Sequence, residues 1–276
     1  MKLAVLWPAG TFSHEAALKF GMNAEMIFVN SIWDVFELVE QKKADSGIVP
    51  VENSIEGGVG ITLDALIETD QKIKQEIIIP IRHCLCGFGE INEIREVHSH
   101  TQALGQCRNF LHSLNKETPV KTFQTSSTAA AAEDVARAND RKKACLCSKL
   151  AAEMYGLKII REDVHDEKNN MTRFFVINHA DAEPSGNDKT SMVVFPQEDR
   201  PGLLYDILGM FSKRNINLTR LESRPSRNIL GEYIFFIDIE GHRKDKLINK
   251  ALQQLEKDIT KIKVFGSYPK SEIYKS

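Results

Sequence analysis

Short apolar runs alternate with amphipathic stretches along the first two thirds of the chain. Residues 2–7 read as a buried strand broken by Pro8 and Gly10, and Thr11-Phe12-Ser13 opens a helical stretch through Phe20. That is a strand-to-helix unit with a hydroxyl at the helix start. Glu25 to Val29 predicts a second strand, and Ser31 caps a helix with Ile32, Val35, Phe36 and Val39 on one face. Asp45 to Val51 predicts a strand running into Glu52-Asn53-Ser54 and a glycine-rich turn, Gly57-Gly58-Val59-Gly60. Such a turn suits backbone that approaches a ligand closely. A helix carrying Leu63, Leu66 and Ile67 follows.

Ile77 to Phe88 predicts one long β run. Ile94 to Val97 is a strand ended by His98-Ser99-His100-Thr101-Gln102, at the start of a helix bearing Leu104, Cys107 and Leu111. Val120 to Phe123 leads through Thr125-Ser126-Ser127-Thr128 into an alanine-rich helix ending at Ala138. Strands at Ala144 to Cys147 and Leu157 to Ile160 flank a helix capped by Ser148, and Phe174 to Ile177 is a further buried strand. Repeated β-α-β-α order argues an α/β fold with largely parallel sheets.

Residues 178–188 are polar and turn-rich, the best candidate linker in the chain. Beyond it the order is strand (Lys189 to Phe195), helix (Leu203, Leu204, Ile207, Leu208, Phe211), strands at Ile216 to Leu221 and Tyr233 to Ile239, a helix striped by Leu247, Ile248, Ala251, Leu252 and Leu255, and a strand at Ile262 to Phe265. That is the βαββαβ ferredoxin-like order.

Composition changes little in this picture. With 276 residues, 42% hydrophobic and 27% charged, the chain has the size and balance of a two-domain globular protein. A formal net charge of −2 argues against a chain-wide nucleic-acid surface but leaves room for a local anion site. No run reaches the length of a membrane span, and the start is too soon broken by Pro8 for a signal peptide. Five cysteines, an odd number, point to reduced thiols in a cytoplasmic protein.

The candidate chemistry lies at the strand ends. Thr11 and Ser13, Asn53 and Ser54, Ser99 and Thr101, and Ser127 and Thr128 all fall at strand-to-helix junctions. In open α/β sheets these junctions share the carboxyl edge of the strands, where ligands bind. Each alone is most simply a helix cap. Together they make an anion cleft from helix ends, with Arg173 as the cation beside Thr172 in Asn169-Asn170-Met171-Thr172-Arg173-Phe174. The Cys84/Cys86 and Cys145/Cys147 pairs are spaced more closely than zinc ligands usually are, so buried thiols are expected. No phosphate loop, serine-hydrolase elbow or helical His-x-x-x-His pair occurs, so the chain shows no nucleotide, metal or serine-hydrolase signature.

Five segments occur in the order of prephenate dehydratases: Pro8-Ala9-Gly10-Thr11-Phe12-Ser13, Val49 to Ser54, Ser99 to Leu104, Ser127-Thr128-Ala129 and Asn170 to Phe174. Asn217-Leu218-Thr219 and Glu222-Ser223-Arg224-Pro225 resemble the ACT regulatory domain of that family. The resemblance covers nearly the whole chain. It implies a catalytic region at 1–180, with two lobes like those of periplasmic solute-binding proteins and the substrate between them, then an ACT domain at 189–268. It also implies decarboxylating dehydration of prephenate to phenylpyruvate in phenylalanine biosynthesis, without a cofactor. Thr172 would assist the leaving hydroxyl. Arg173, Phe174, Glu52, Asn53, Ser54, Thr11, Ser99, Gln102 and Ser127 would bind substrate.

By the same resemblance L-phenylalanine is the feedback effector, held near Gly202, Leu203, Leu204, Asn217, Leu218 and Glu222 to Pro225, and ACT domains pair the chain into a homodimer or homotetramer. Two departures stand out. Trp7 replaces the family's glycine, where it could narrow the cleft or point into the core, and Leu203 and Tyr205 enlarge a segment that is usually Gly-Ala-Leu-Val. Arogenate dehydration, or sensing of an aromatic amino acid without catalysis, are the alternatives.

Overall fold

The computed structural model describes residues 1–197, 200–226, 232–258 and 260–271. The first lobe is built from β1 (Lys2–Leu6), α1 (Phe12–Phe20), β2 (Glu25–Val29), α2 (Ile32–Glu40), β3 (Ser46–Asn53), a short β4 (Gly57–Gly58), α3 (Gly60–Glu68) and β5 (Lys72–Pro80). The chain then crosses to a second lobe made of β6 (Cys84–Gly87), β7 (Glu96–Ser99), α4 (Thr101–Gln106), α5 (Arg108–Glu117), β8 (Lys121–Gln124), α6 (Thr128–Ala138), β9 (Lys143–Cys147), α7 (Lys149–Met154) and β10 (Lys158–Arg161). It returns to lay β11 (Met171–Asn178) into the first sheet, in strand order β2-β1-β3-β11-β5.

Three expectations change here. The sheets are mixed rather than largely parallel: β11 runs antiparallel to both neighbours, β3 and β5. The long β run at 77–88 is two strands in different lobes, parted by Pro80 and Ile81 to His83. Proline cannot donate to a ladder, so the strand ends and the chain is released to cross. The crossing is tied to the return crossing by Ile81 N–H donating to Asn170 O (2.8 Å) and Val164 N–H donating to His83 O (2.9 Å). The helix expected across 101–111 likewise divides at Cys107, between α4 and α5.

The lobes meet again opposite these crossings. Ser148, the cap of α7, donates its hydroxyl to Gly10 O at 2.9 Å. Gly10 has φ +90, and a Cβ there would lie 3.1 Å from Ala151 Cα, so both conformation and contact call for glycine. Trp7 neither fills the core nor lines the cleft. It is 56% exposed, with its ring edge-on to Phe28.

The C-terminal domain comprises β12 (Asp188–Pro196), α8 (Leu203–Ser212), β13 (Leu218–Pro225), β14 (Tyr233–Glu240), α9 (Lys246–Asp258) and β15 (Thr260–Pro269), with strand order β13-β14-β12-β15. One sheet face packs on α8 and α9 through Met192, Ile207, Phe211, Ile237 and Leu255. Its other face packs on the first lobe. Val193, Phe236, Phe265 and Tyr268 share one apolar cluster with Val49, Val51, Phe175 and Ile177. Period-2 alternation explains this: Phe174 and Val176 join the cluster beneath α1, while Phe175 and Ile177 turn to the C-terminal domain. The central strand is therefore enclosed on both faces.

Candidate active site

A cavity of about 550 Å³ opens between the lobes. Three helix starts face it. Thr11 caps α1 by accepting from His14 N–H, Ser127 caps α6 by accepting from Ala130 N–H at 3.0 Å, and His100 caps α4 by accepting from Gln102 N–H through Nδ1. First-turn N–H groups have no intrahelical acceptor, so these ends present donors and positive potential to the cleft. No Lys or Arg is among the described residues lining it. Attraction for an anion there rests on these helix ends, with the Glu56 carboxylate also among the described lining residues.

Of the residues expected from sequence, Thr11, Asn53, Gln102, Ser127, Thr172 and Phe174 line the cleft. Glu52, Ser54, Ser99 and Arg173 do not. Ser99 is fully buried and donates to Leu146 O at 2.7 Å. Ser54 steadies the turn before β11, its hydroxyl accepting from Met171 N–H at 3.0 Å. Glu52 and Arg173 are register partners on the opposite face of the sheet. Arg173 is 8% exposed and donates to Asp238 (2.6 Å) and the Tyr268 hydroxyl (2.7 Å) of the C-terminal domain. Its Nε lies 2.6 Å from Glu76, a close ion pair not aligned as a hydrogen bond. Burial opposes charge at Arg173, but Tyr268, Asp238 and Glu76 outweigh it and raise its pKa well above the usual value. Arg173 is therefore not the cation of the cleft.

The polar groups behind Thr172 form a network whose direction is fixed by the backbone. Asn53 Oδ1 accepts from the N–H groups of Ile55 and Glu56, both at 3.0 Å. Its amide nitrogen must then donate, and it does so to Thr172 Oγ1 at 2.9 Å and Asn170 Oδ1 at 2.8 Å. Asn170 in turn donates to Gln106 Oε1 at 3.0 Å, which also faces His83 Nε2 at 3.1 Å. A carbonyl oxygen only accepts, so His83 carries its proton on Nε2 and presents a bare Nδ1. Burial pulls the His83 pKa down to about 4, keeping the ring neutral at physiological pH. With its oxygen already accepting from Asn53, the Thr172 hydroxyl is free to donate into the cleft.

Ser13 and Thr128, expected among the junction hydroxyls, also line the cavity, as do Phe12, Glu56, His83, His100 and Gln106, which were not expected as site residues. Gln106 had a signal: it falls one helical turn after Gln102, on the same face. His83 was masked by the assumption of a continuous strand. All five cysteines are free and buried, the Cys84/Cys86 and Cys145/Cys147 pairs as their spacing suggested. The Cys86 thiol is raised well above its ordinary pKa by its hydrogen bond with Cys147 and by burial. Among the described residues no helix is long and apolar enough to cross a membrane.

Around the expected effector segment, Leu203 is buried in the C-terminal core, while Tyr205 is 77% exposed. Glu222 and Arg224 turn toward the first lobe, where Arg224 donates to Gly60 O at 3.1 Å and Asp64 at 3.2 Å. A small pocket on α8 is lined by Arg200, Tyr205, Asp206, Gly209, Met210 and Lys213.

Comparison with known proteins places this architecture. Residues 3–182 match the prephenate dehydratase family and residues 191–257 the ACT domain. A prephenate dehydratase from Methanocaldococcus jannaschii is 44% identical, the alignment covering 98% of this chain and 99% of that one. The solved prephenate dehydratase from Arthrobacter aurescens, in complex with L-Phe, superimposes with a TM-score of 0.89 at 34% identity, over 98% of this chain and 90% of that one. The quorum-quenching acylase GqqA shares the architecture too, with a TM-score of 0.88 at 27% identity over 98% of each chain. A shared fold does not fix chemistry. The family model spans well over half of the chain and the first relative aligns end to end, so this chain belongs to the prephenate dehydratase family and carries its ACT regulatory domain.

Proposed function

We propose that the cleft converts prephenate to phenylpyruvate, carbon dioxide and water, with Thr172 as the residue acting on the leaving hydroxyl. The observation that carries this reading is the direction of the Asn53–Thr172 hydrogen bond, which aims a hydroxyl donor into an anion-attracting cavity. In the reaction the bond from the ring to its carboxylate breaks and its electron pair enters the ring. The bond from C4 to oxygen breaks with its pair on oxygen, and one proton taken up from the solution turns that oxygen into water, so that the prephenate dianion and a proton become phenylpyruvate anion, carbon dioxide and water. A threonine hydroxyl is a poor acid, so its contribution is a hydrogen bond that strengthens as negative charge grows on that oxygen.

The lack of a guanidinium among the described lining residues fits this chemistry. Charge leaves the ring carboxylate as carbon dioxide forms, so a cation placed there would favour the ground state over the transition state. Helix ends at Thr11 and Ser127 supply softer attraction, enough to hold a dianion without pinning the departing carboxylate. Phe174 and Phe12 offer apolar surface to the ring. Appearance of phenylpyruvate absorbance when purified protein meets prephenate is the direct test. No signal would remove this reading, and a faster reaction with arogenate would shift it to the amino analogue.

L-phenylalanine is the proposed effector, by analogy with the A. aurescens protein solved with it. Association through ACT domains is supported by β13, an edge strand with exposed Leu221. An unpaired edge invites another chain. Calorimetric titration with phenylalanine alongside turnover tests the effector, and sedimentation tests the association.

A further inference from the structure

The geometry points to Arg173 as a positioning residue, through which the ACT domain holds the Thr172 hydroxyl in place from the back of the sheet. Two cross-strand pairs carry the argument. Thr172 lies opposite Asn53 on the cleft face, and Arg173 lies opposite Glu52 on the back face, one residue on along β11 and one residue back along antiparallel β3. The register between β11 and β3 slips immediately after Arg173. Regular pairing beyond it therefore does not by itself set the Thr172–Asn53 pair. Beside the Ser54 N–H bond to Met171 O, the back-face pair ties the two strands there, Arg173 Nη1 lying 3.6 Å from Glu52 Oε2.

That back-face pair is completed by the ACT domain. Asp238 on β14 and Tyr268 on β15 each take a hydrogen bond from the guanidinium, and both are at most 2% exposed. Lys189 on β12 reaches Glu76, the other carboxylate beside Arg173, at 2.9 Å. Arg220 on β13 approaches Glu52 at 3.9 Å. All four strands of the ACT sheet thus place a side chain on Arg173 or on a carboxylate that neutralises it. The guanidinium also lies over the Phe175 ring, 4.8 Å from its centroid.

The same domain touches the cleft wall. Gly58 and Val59 line the cavity, and a Cβ on Gly58 would collide with the Glu222 carboxylate. A Cβ on Gly60 would come within 2.9 Å of Arg224. The glycine-rich turn, expected to admit a ligand, admits ACT side chains on its outer side. A shift of the ACT sheet would therefore reach Thr172 through Arg173 and the turn through Glu222 and Arg224. This inference rests on the reading of Thr172 as the catalytic hydroxyl.

The test uses the full chain with Tyr268→Phe and Asp238→Asn, which remove partners of Arg173 at nearly constant volume and leave the cleft lining intact. The expected result is a fall in kcat of about 5- to 10-fold with KM for prephenate within about 2-fold, because Thr172 acts in the transition state rather than in ground-state binding. Inhibition by phenylalanine should weaken while its calorimetric binding persists. A purely structural role would lower the melting temperature and leave kcat alone. Wild-type kcat and wild-type inhibition in folded Tyr268→Phe overturn the inference, and that variant decides if Asp238→Asn does not fold. Thr172→Ala separates the two readings. If it retains full turnover, the catalytic reading falls. If it is inactive while Tyr268→Phe is unchanged, only this inference falls.

Discussion

At the scale of single residues, the site depends on which way protons point. Asn53 is held donor-outward by two backbone N–H groups, and that sets Thr172. Thr172→Ala should lower kcat by about 100-fold or more, with the melting temperature nearly unchanged. Thr172→Ser should keep most of the activity. Asn53→Asp is a sharper test of orientation. A carboxylate there can only accept, so the Thr172 hydroxyl would turn its proton toward residue 53 and away from substrate. We expect a loss of kcat comparable to Thr172→Ala at almost constant side-chain volume, measured by stopped-flow absorbance. Equal activity of Asn53→Asp and wild type would show that the hydroxyl direction does not matter.

At the scale of elements, the strand β11 shows what the sequence made legible and what it did not. Its apolar run and its threonine were readable from residue types. The face of Arg173 was readable too, because side chains alternate along a strand and residue 173 must oppose 172 and 174. Arg173 looked like a substrate ligand only while the ACT domain was treated as a separate body behind a linker. Its partners Asp238 and Tyr268 are 65 and 95 residues away in sequence, beyond the reach of local pattern. Removing one of them has a predictable cost. Asp238→Ala would leave a buried guanidinium short of a countercharge and should destabilise the fold by about 3–5 kcal/mol, seen as a lower denaturation midpoint.

The contact between α1 and α7 adds a pH effect on the same scale. Burial raises the pKa of Glu15 to about 7, against a smaller opposing hydrogen bond from Ser148. The folded state then holds a proton that the unfolded state releases from about 4.5, the ordinary value. Stability from this group is full below the unfolded pKa and is lost as pH rises toward the folded value. Between those limits the melting temperature should fall with pH more steeply in wild type than in Glu15→Gln, and level off above about 7. Parallel curves for the two proteins would place Glu15 outside this linkage.

At the scale of the whole molecule, the polar stretch 178–188 suggested a linker between two domains, yet the two regions share a core. Phe175, Ile177, Val49 and Val51 of the first lobe pack with Val193, Phe236, Phe265 and Tyr268 of the ACT domain. The back face of the sheet that carries Thr172 is covered partly by α2 and α3 and partly by that domain, so removing the domain would uncover apolar surface around Phe175. Exposing a contiguous apolar face of this kind leads to association or loss of order. Cutting the ACT domain away also strips Arg173 of Asp238 and Tyr268, leaving Glu76 and Glu52 to neutralise it in water. A fragment of residues 1–182 should therefore aggregate, or melt well below the full chain, and should turn over prephenate more slowly even where it stays in solution. The measurement is kcat of the purified soluble fraction beside its melting curve. A monomeric fragment with wild-type kcat would mean that the catalytic sheet needs nothing behind it, and that the ACT domain acts on the cleft by some route other than the buried face of β11.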